Sequence, residues 1–169
     1  MKQPLPDEFG SFYQRYIDAI KEDVLTELRQ QPTTLKDLLK PVAAKADYAY
    51  ADGKWTLKEL LGHIIDTERI MAYRLLRIAR NDATPLPGFD QDEYVKHSGH
   101  RSLDFETMLE EFETVRKSNL FLIQSLTEEQ LNNRGSANNY PLSARALLFI
   151  IAGHLKHHIG IIKERYLTS

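Results

Sequence analysis

The amino-acid sequence predicts an all-α protein, a four-helix bundle formed by a single domain over residues 1–169. Three observations carry this expectation. Four long segments repeat apolar residues every three or four positions, as a helix with one buried face does. Strand-like alternation is nearly absent, and polar connectors containing proline, glycine or asparagine separate the segments. Helices of about 20–25 residues would run about 30–38 Å at 1.5 Å per residue, and a chain of this length can bury a core without cross-links.

The first segment, Asp7 to Arg29, places Phe9, Phe12, Tyr16, Ile20, Val24 and Leu28 roughly on one face, with Pro32 expected to bound it. A connector to Lys54 follows, with a short helix expected in "TLKDLLK" before Pro41. The second helix opens on a capping box, Thr56 with Glu59 three residues on, which satisfies the free N–H groups of a helix start. Its stripe is Leu57, Leu61, Ile64, Glu68, Met71, Leu75 and Ile78. The third follows Ser102, with Phe105, Met108, Phe112, Val115, Asn119, Leu122 and Leu126 at the same spacing. The fourth follows "YPLS", with Ser143 as N-cap, and runs to about Leu167.

Between the second and third helices lies "NDATPLPGFDQDEYVKHSGHR". Fully extended, such a stretch spans about 65 Å, whereas a turn between antiparallel neighbours needs about 2–8 residues. A long crossover is therefore expected, with the second and third helices parallel. The later connector, "TEEQLNNRGSANNYPLS", is expected to cover one end of the bundle.

Composition removes several functions. There are no cysteines, which excludes disulfides, thiolate metal ligands and a cysteine nucleophile and suits a cytoplasmic location. The first residues lack the apolar stretch of a signal peptide. The longest apolar run, "ALLFIIAG", falls short of the ~18 residues of a membrane span. A net charge of −2, with signs mixed along the chain, gives no overall basic footprint for nucleic acid.

The chemistry concentrates in "GHLKHHIGIIKERYL". Leu147, Ile151, His154, His158 and Ile161 step by four, three, four and three residues, so His154 and His158 replace core residues on adjacent turns of one face. His157 falls on the flank. Two imidazoles at this spacing suit a metal ion, although the glutamate of an HExxH motif is missing because Leu155 follows His154; packing histidines would show the same spacing. His63 is the other histidine on a core helix, while His97 and His100 fall in the crossover. Glu68, a carboxylate within an apolar stripe, needs a partner, either an arginine such as Arg145 or Arg69 or a ligand histidine to orient.

The pair "GKWTLKELLGHIIDTERI" and "GHLKHHIGII", with "PGFDQDEYV" between them, resembles the DinB-like superfamily of metalloenzymes that includes the YfiT group. The resemblance covers nearly the whole chain. It implies an up-down-down-up bundle, a homodimer, and one divalent metal ion, nickel or zinc, held by His63, His154 and His158. It also implies that His157 is not a ligand, and a reaction of the thiol S-transferase or hydrolase kind.

Three neutral histidines leave such an ion its full charge and an open position, the arrangement of catalytic sites. Either an activated water or a bound low-molecular-weight thiol would then react; with no cysteine in the chain, a thiol must arrive as substrate. For a general base, Glu68 is a candidate, beside Asp66, Asp90, Asp92 and Glu93. Arg134, Asn138, Asn139 and Tyr140 either line the mouth of the site or form a turn. The alternatives are a metal-binding bundle without catalysis and a metal-free interaction module.

Overall fold

The computed structural model describes residues 1–167. Four long helices, α2 (Val24–Leu39), α3 (Leu57–Ala79), α5 (Phe105–Gln124) and α7 (Ala144–Ile161), form the bundle. Shorter elements are α1 (Gln14–Ala19), α4 (Gln91–His97) within the crossover, α6 (Glu128–Leu131), and a hairpin of β1 (Arg134–Ala137) and β2 (Tyr140–Ser143). Thr56 and Glu59 form the expected reciprocal capping box, and Ser143 caps α7 by accepting from the Ala146 N–H. The third helix is capped by Asp104, which accepts from the Thr107 N–H.

The first predicted helix is corrected. The chain is interrupted at Ile20, whose backbone is extended, and restarts at Asp23, whose carboxylate accepts from the Thr26 N–H. From there α2 runs through Pro32 to Leu39, so Pro32 does not bound a helix and "TLKDLLK" forms no separate one. A proline here leaves the carbonyl four residues earlier without its helical donor. That carbonyl belongs to Leu28, and Arg116 Nη1 of α5 donates to it at 3.1 Å. A long-range contact thus replaces the bond that the local sequence removes.

The same guanidinium organises the centre of the bundle. Arg116 Nε and Nη2 donate to the two oxygens of Glu68 on α3 at 2.7 and 2.8 Å, and Asn119 adds a bond of 2.9 Å to Oε1. Arg116 Nη1 also donates to Gln31 Oε1 on α2 at 2.8 Å, and Gln31 Nε2 donates to the Ala152 carbonyl on α7 at 2.7 Å. All four long helices are joined in this one polar layer. By sequence position it separates two apolar clusters. One holds Val24 and Leu28, Met71 and Leu75, Ile123, and Leu147 and Ile151. The other holds Leu35 and Leu39, Leu57 and Ile64, Phe105 and Phe112, and Leu155 and Ile159.

The hairpin was not expected from the sequence. Asn138 and Asn139 both adopt left-handed backbone (φ 52° and 65°), as a two-residue hairpin turn requires, and asparagine reaches that region more readily than most residues. The crossover is pinned to it where Asn138 N donates to the Leu86 carbonyl at 3.0 Å. Taken with the turn that follows it, α7 is long and apolar enough to cross a membrane by length and composition, with a mean hydropathy of 1.2, but 72% of that window is buried within the bundle. It is the core helix of the fold.

Tight packing places α1 on α7. A Cβ added at Gly153 would lie 2.1 Å from the Tyr16 carbonyl oxygen. Gly153→Ala is therefore expected to destabilise the protein by about 1–3 kcal/mol through overpacking, outweighing the ~1 kcal/mol of helix propensity that alanine adds; urea unfolding checks this. Glu68→Leu is expected to lose about 3–5 kcal/mol by leaving Arg116 buried and unpaired, and Glu68→Leu/Arg116→Met to recover much of that loss. Denaturation of the single and double variants tests the coupling.

Candidate metal centre

His63 projects from α3, and His154 and His158 from successive turns of α7, into one buried point. Their exposures are 3%, 7% and 8%. The Nε2 atoms of His63 and His154 are 3.1 Å apart, and those of His158 and His154 3.0 Å. Among the described residues this is the only group of three or more histidine, cysteine or acidic side chains whose donor atoms converge.

Such a cluster suits a cation. Burial pushes the His63 imidazole down to about 4. Burial, and then the mutual proximity of the histidines, holds His154 and His158 well below the usual histidine range. At neutral pH all three rings are uncharged, and neutral rings in close Nε2 contact need a shared proton or a shared cation between their lone pairs. Metal–nitrogen bonds of 2.0–2.1 Å in tetrahedral geometry would separate the donors by about 3.3 Å, close to the spacing found here. The residues present fit a divalent ion.

Neighbouring elements hold the rings in place. Trp55 packs on His63 with ring centroids 4.9 Å apart, and its carbonyl accepts from Tyr166 Oη at 2.7 Å. Tyr16 meets His154 edge-on at 5.6 Å and lies 5.7 Å from His157. The glycine before His154 makes this approach possible, because α1 rests directly on the α7 backbone there. His157 lies half-buried on the flank and does not converge on the cluster.

Two cavities adjoin the histidines. The larger, about 400 Å³, is lined by His63 and His154 together with Arg15, Thr67, Arg74 and Asn138. The other, about 290 Å³, is lined by His158 with Tyr50, Trp55, Asp92 and His157. Arg15 and Tyr16 stand at the border of both.

The remaining candidates separate clearly. Glu68 is an ion-pair residue whose partner is Arg116, not Arg145 or Arg69, and it lines neither cavity. Its carboxylate accepts from Arg116 and Asn119 and orients no histidine. Arg145 pairs instead with Glu128, and Arg69 with Glu111. Asp66 sits near Arg69 (3.9 Å), Asp90 caps α4, and Glu93 pairs with Lys96. Of the five carboxylates named from the sequence, Asp92 alone lines a cavity at the histidines. Arg134 pairs with Asp7 and Tyr140 packs on Phe12; Asn138 serves both the turn and the larger cavity.

Arg74 was missed. On α3, His63, Thr67, Met71 and Arg74 step by four, four and three residues and face the larger cavity, with Met71 shared with the apolar stripe. The spacing was visible in the sequence; the wall opposite it, from α1 and the crossover, was not.

The sequence pattern of the DinB superfamily matches residues 27–162. A relative from Oceanobacillus iheyensis designated "Putative metal-dependent hydrolase" is 30% identical over 148 residues, covering 84% of each chain. Another with the same designation, from Bacillus licheniformis, is 25% identical over 148 residues, covering 84% of this chain and 82% of its own. Among solved structures, YfiT from Bacillus subtilis, described as a probable metal-dependent hydrolase with an unusual four-helix bundle topology, superposes with a TM-score of 0.75 at 20% identity, covering 83% of this chain and 82% of its own.

Because the cluster is polar and buried, its cost should appear when metal is removed. In chelated protein, His154→Leu is expected to raise stability by about 1–3 kcal/mol, read as a higher Tm by calorimetry.

Proposed function

The chain belongs to the DinB superfamily, and from that premise we propose that it is a metal-dependent hydrolase of a small-molecule substrate, with one divalent ion, zinc or nickel, held by His63, His154 and His158. The observation that carries this reading is the convergence of three buried, uncharged Nε2 donors beside two cavities. An ion held by the three neutral imidazoles of His63, His154 and His158 would keep its full charge and would supply an acidified water or thiol and Lewis-acid polarisation of an acyl or phosphoryl oxygen.

The chain's own groups supply the rest. Trp55 and Tyr16 fix the rings of His63 and His154 before any substrate arrives, so little reorganisation is needed during the reaction. Asp92, in the cavity beside His158, is the carboxylate placed to take up a proton at its Oδ atoms. The apolar clusters exclude bulk water from the inner face of the site.

Transfer of a low-molecular-weight thiol is a second reading, favoured by the two cavities. One touches His63 and His154 and the other His158, so two reactants have separate approaches to one centre. Both readings share a homodimer, which the resemblance supports, in the cytoplasm, which the cysteine-free composition suits.

Elemental mass spectrometry of untagged protein is expected to find about one zinc or nickel per chain in wild type and none in His154→Ala. Zinc at ~100 times its Kd should stabilise wild type by about 2.7 kcal/mol, with no shift in that variant. A panel of activated esters, amides and phosphoesters, with and without added thiol, should show turnover that His158→Ala abolishes while the fold persists. No stoichiometric metal after reconstitution with either ion would overturn the proposal; metal without turnover would leave a binding protein.

A further inference from the structure

Three arginines are buried in the described structure: Arg74, Arg116 and Arg145. Arg116 is paired with Glu68 and Arg145 with Glu128. Arg74, 3% exposed, has no carboxylate partner among the described residues. Its Nη2 donates to the Pro87 carbonyl at 2.8 Å, its Nη1 contacts Met71 Sδ at 3.7 Å, and its guanidinium lies 5.8 Å from the Phe89 ring centre. None of these neighbours carries charge. A buried cation without a counterion is costly, and this one lines the larger cavity beside the histidines.

A second observation comes from the same wall. Thr67, 3% exposed, lines that cavity with a buried hydroxyl that has no hydrogen-bond partner. On α3 it stands one turn beyond His63 and two turns before Arg74. Arg15 adds a further cation at the cavity border, where its Nη2 donates to Tyr16 Oη at 2.8 Å and no carboxylate pairs with it among the described residues. An unpaired guanidinium, a free hydroxyl and a second cation lining one cavity are complementary to an oxyanion.

We propose that this cavity is an oxyanion subsite, in which Arg74, supported by Arg15 and Thr67, binds a carboxylate or phosphate group carried by the substrate while its reacting bond lies at the three histidines. The assignment rests on the metal-centre reading and specifies its substrate. His63 and Arg74 are eleven residues apart, about 16 Å between Cα atoms. The arginine leans back toward the N-terminus of α3, as its Met71 contact records. The anionic group therefore sits several bonds away from the reacting bond, with an apolar body between them against Phe12, Tyr13 and Phe89. The substrate class is a small acid or phosphorylated compound, and Arg74 is a binding residue that positions it.

Calorimetric titration with benzoate, phenyl phosphate and uncharged benzyl alcohol tests this on the full chain, both zinc-loaded and chelator-stripped. Either anion, or both, should bind the two forms at least tenfold more tightly than the alcohol, and the preferred anion identifies the group. Arg74→Met should weaken anion binding tenfold or more in both forms without changing zinc stoichiometry. Thr67→Val should weaken it two- to fivefold. Arg74→Lys, which keeps the charge but not the fork of donors, should fall between wild type and Arg74→Met and serves if Arg74→Met does not fold. Equal anion affinity in the folded variants and wild type, or anion binding only when zinc is present, would overturn the proposal. Failure of zinc binding would remove the metal reading, while the stripped-protein titrations would still decide the role of Arg74.

Discussion

The buried ion pair between Glu68 and Arg116 sets the register of the bundle. Its hydrogen bonds reach α2 through Gln31 and the Leu28 carbonyl, and α7 through the bond from Gln31 to the Ala152 carbonyl. Apolar stripes alone tolerate sliding by a turn, about 5.4 Å, because one leucine resembles the next. A guanidinium with four fixed acceptors does not. Desolvating two charges costs several kcal/mol per ion, so a layer of this kind defines alignment more than it adds stability. Glu68 follows His63 by five residues and Ala152 precedes His154 by two. The contacts that align the helices thus also bring the three imidazoles to one level.

Above that scaffold, less regular elements shape what reaches the site. The extended backbone at Ile20 and the new cap at Asp23 separate α1 from α2, leaving α1 to lie across α7 at Gly153 and bring Tyr16 to His154. The crossover supplies the facing wall, with Gly88 and Phe89 in the larger cavity and Asp92 in the other. Its attachment to the hairpin fixes it relative to the end of the bundle. The three histidines stand on long helices, while the crossover supplies part of the cavity walls, a division that lets geometry and selectivity be set separately.

Much of this was legible in the sequence, and the parts that were not have a common cause. The helices α3, α5 and α7 follow from apolar spacing and local caps, which a single segment displays by itself. The pairing of His154 with His158 follows from their four-residue spacing on a core face, whereas His63 entered through the family resemblance. Pro32 was misread because local rules make proline a helix breaker, and the donor that restores its turn comes from α5. Glu68 was rightly seen to need a cation, but geometry across helices chose Arg116. The hairpin is too short for periodicity to show, and Arg74 is distinguished by its burial without a carboxylate partner among the described residues, a property of the folded protein.

His63 lies far from His154 and His158 along the chain. His63 and His154 are separated by 91 residues, whereas zinc fingers gather their ligands from one short segment and fold around the metal. On the ribosome, the nascent chain carries one of the three nitrogens until α7 emerges, and the polar layer waits for Arg116 and Asn119 of α5 and then for the Ala152 carbonyl of α7. The three nitrogens therefore come together in a pocket whose shape protein contacts set. An ion bound there would enter after the bundle has closed, and supply at that moment, rather than the folding pathway, would decide which ion is installed.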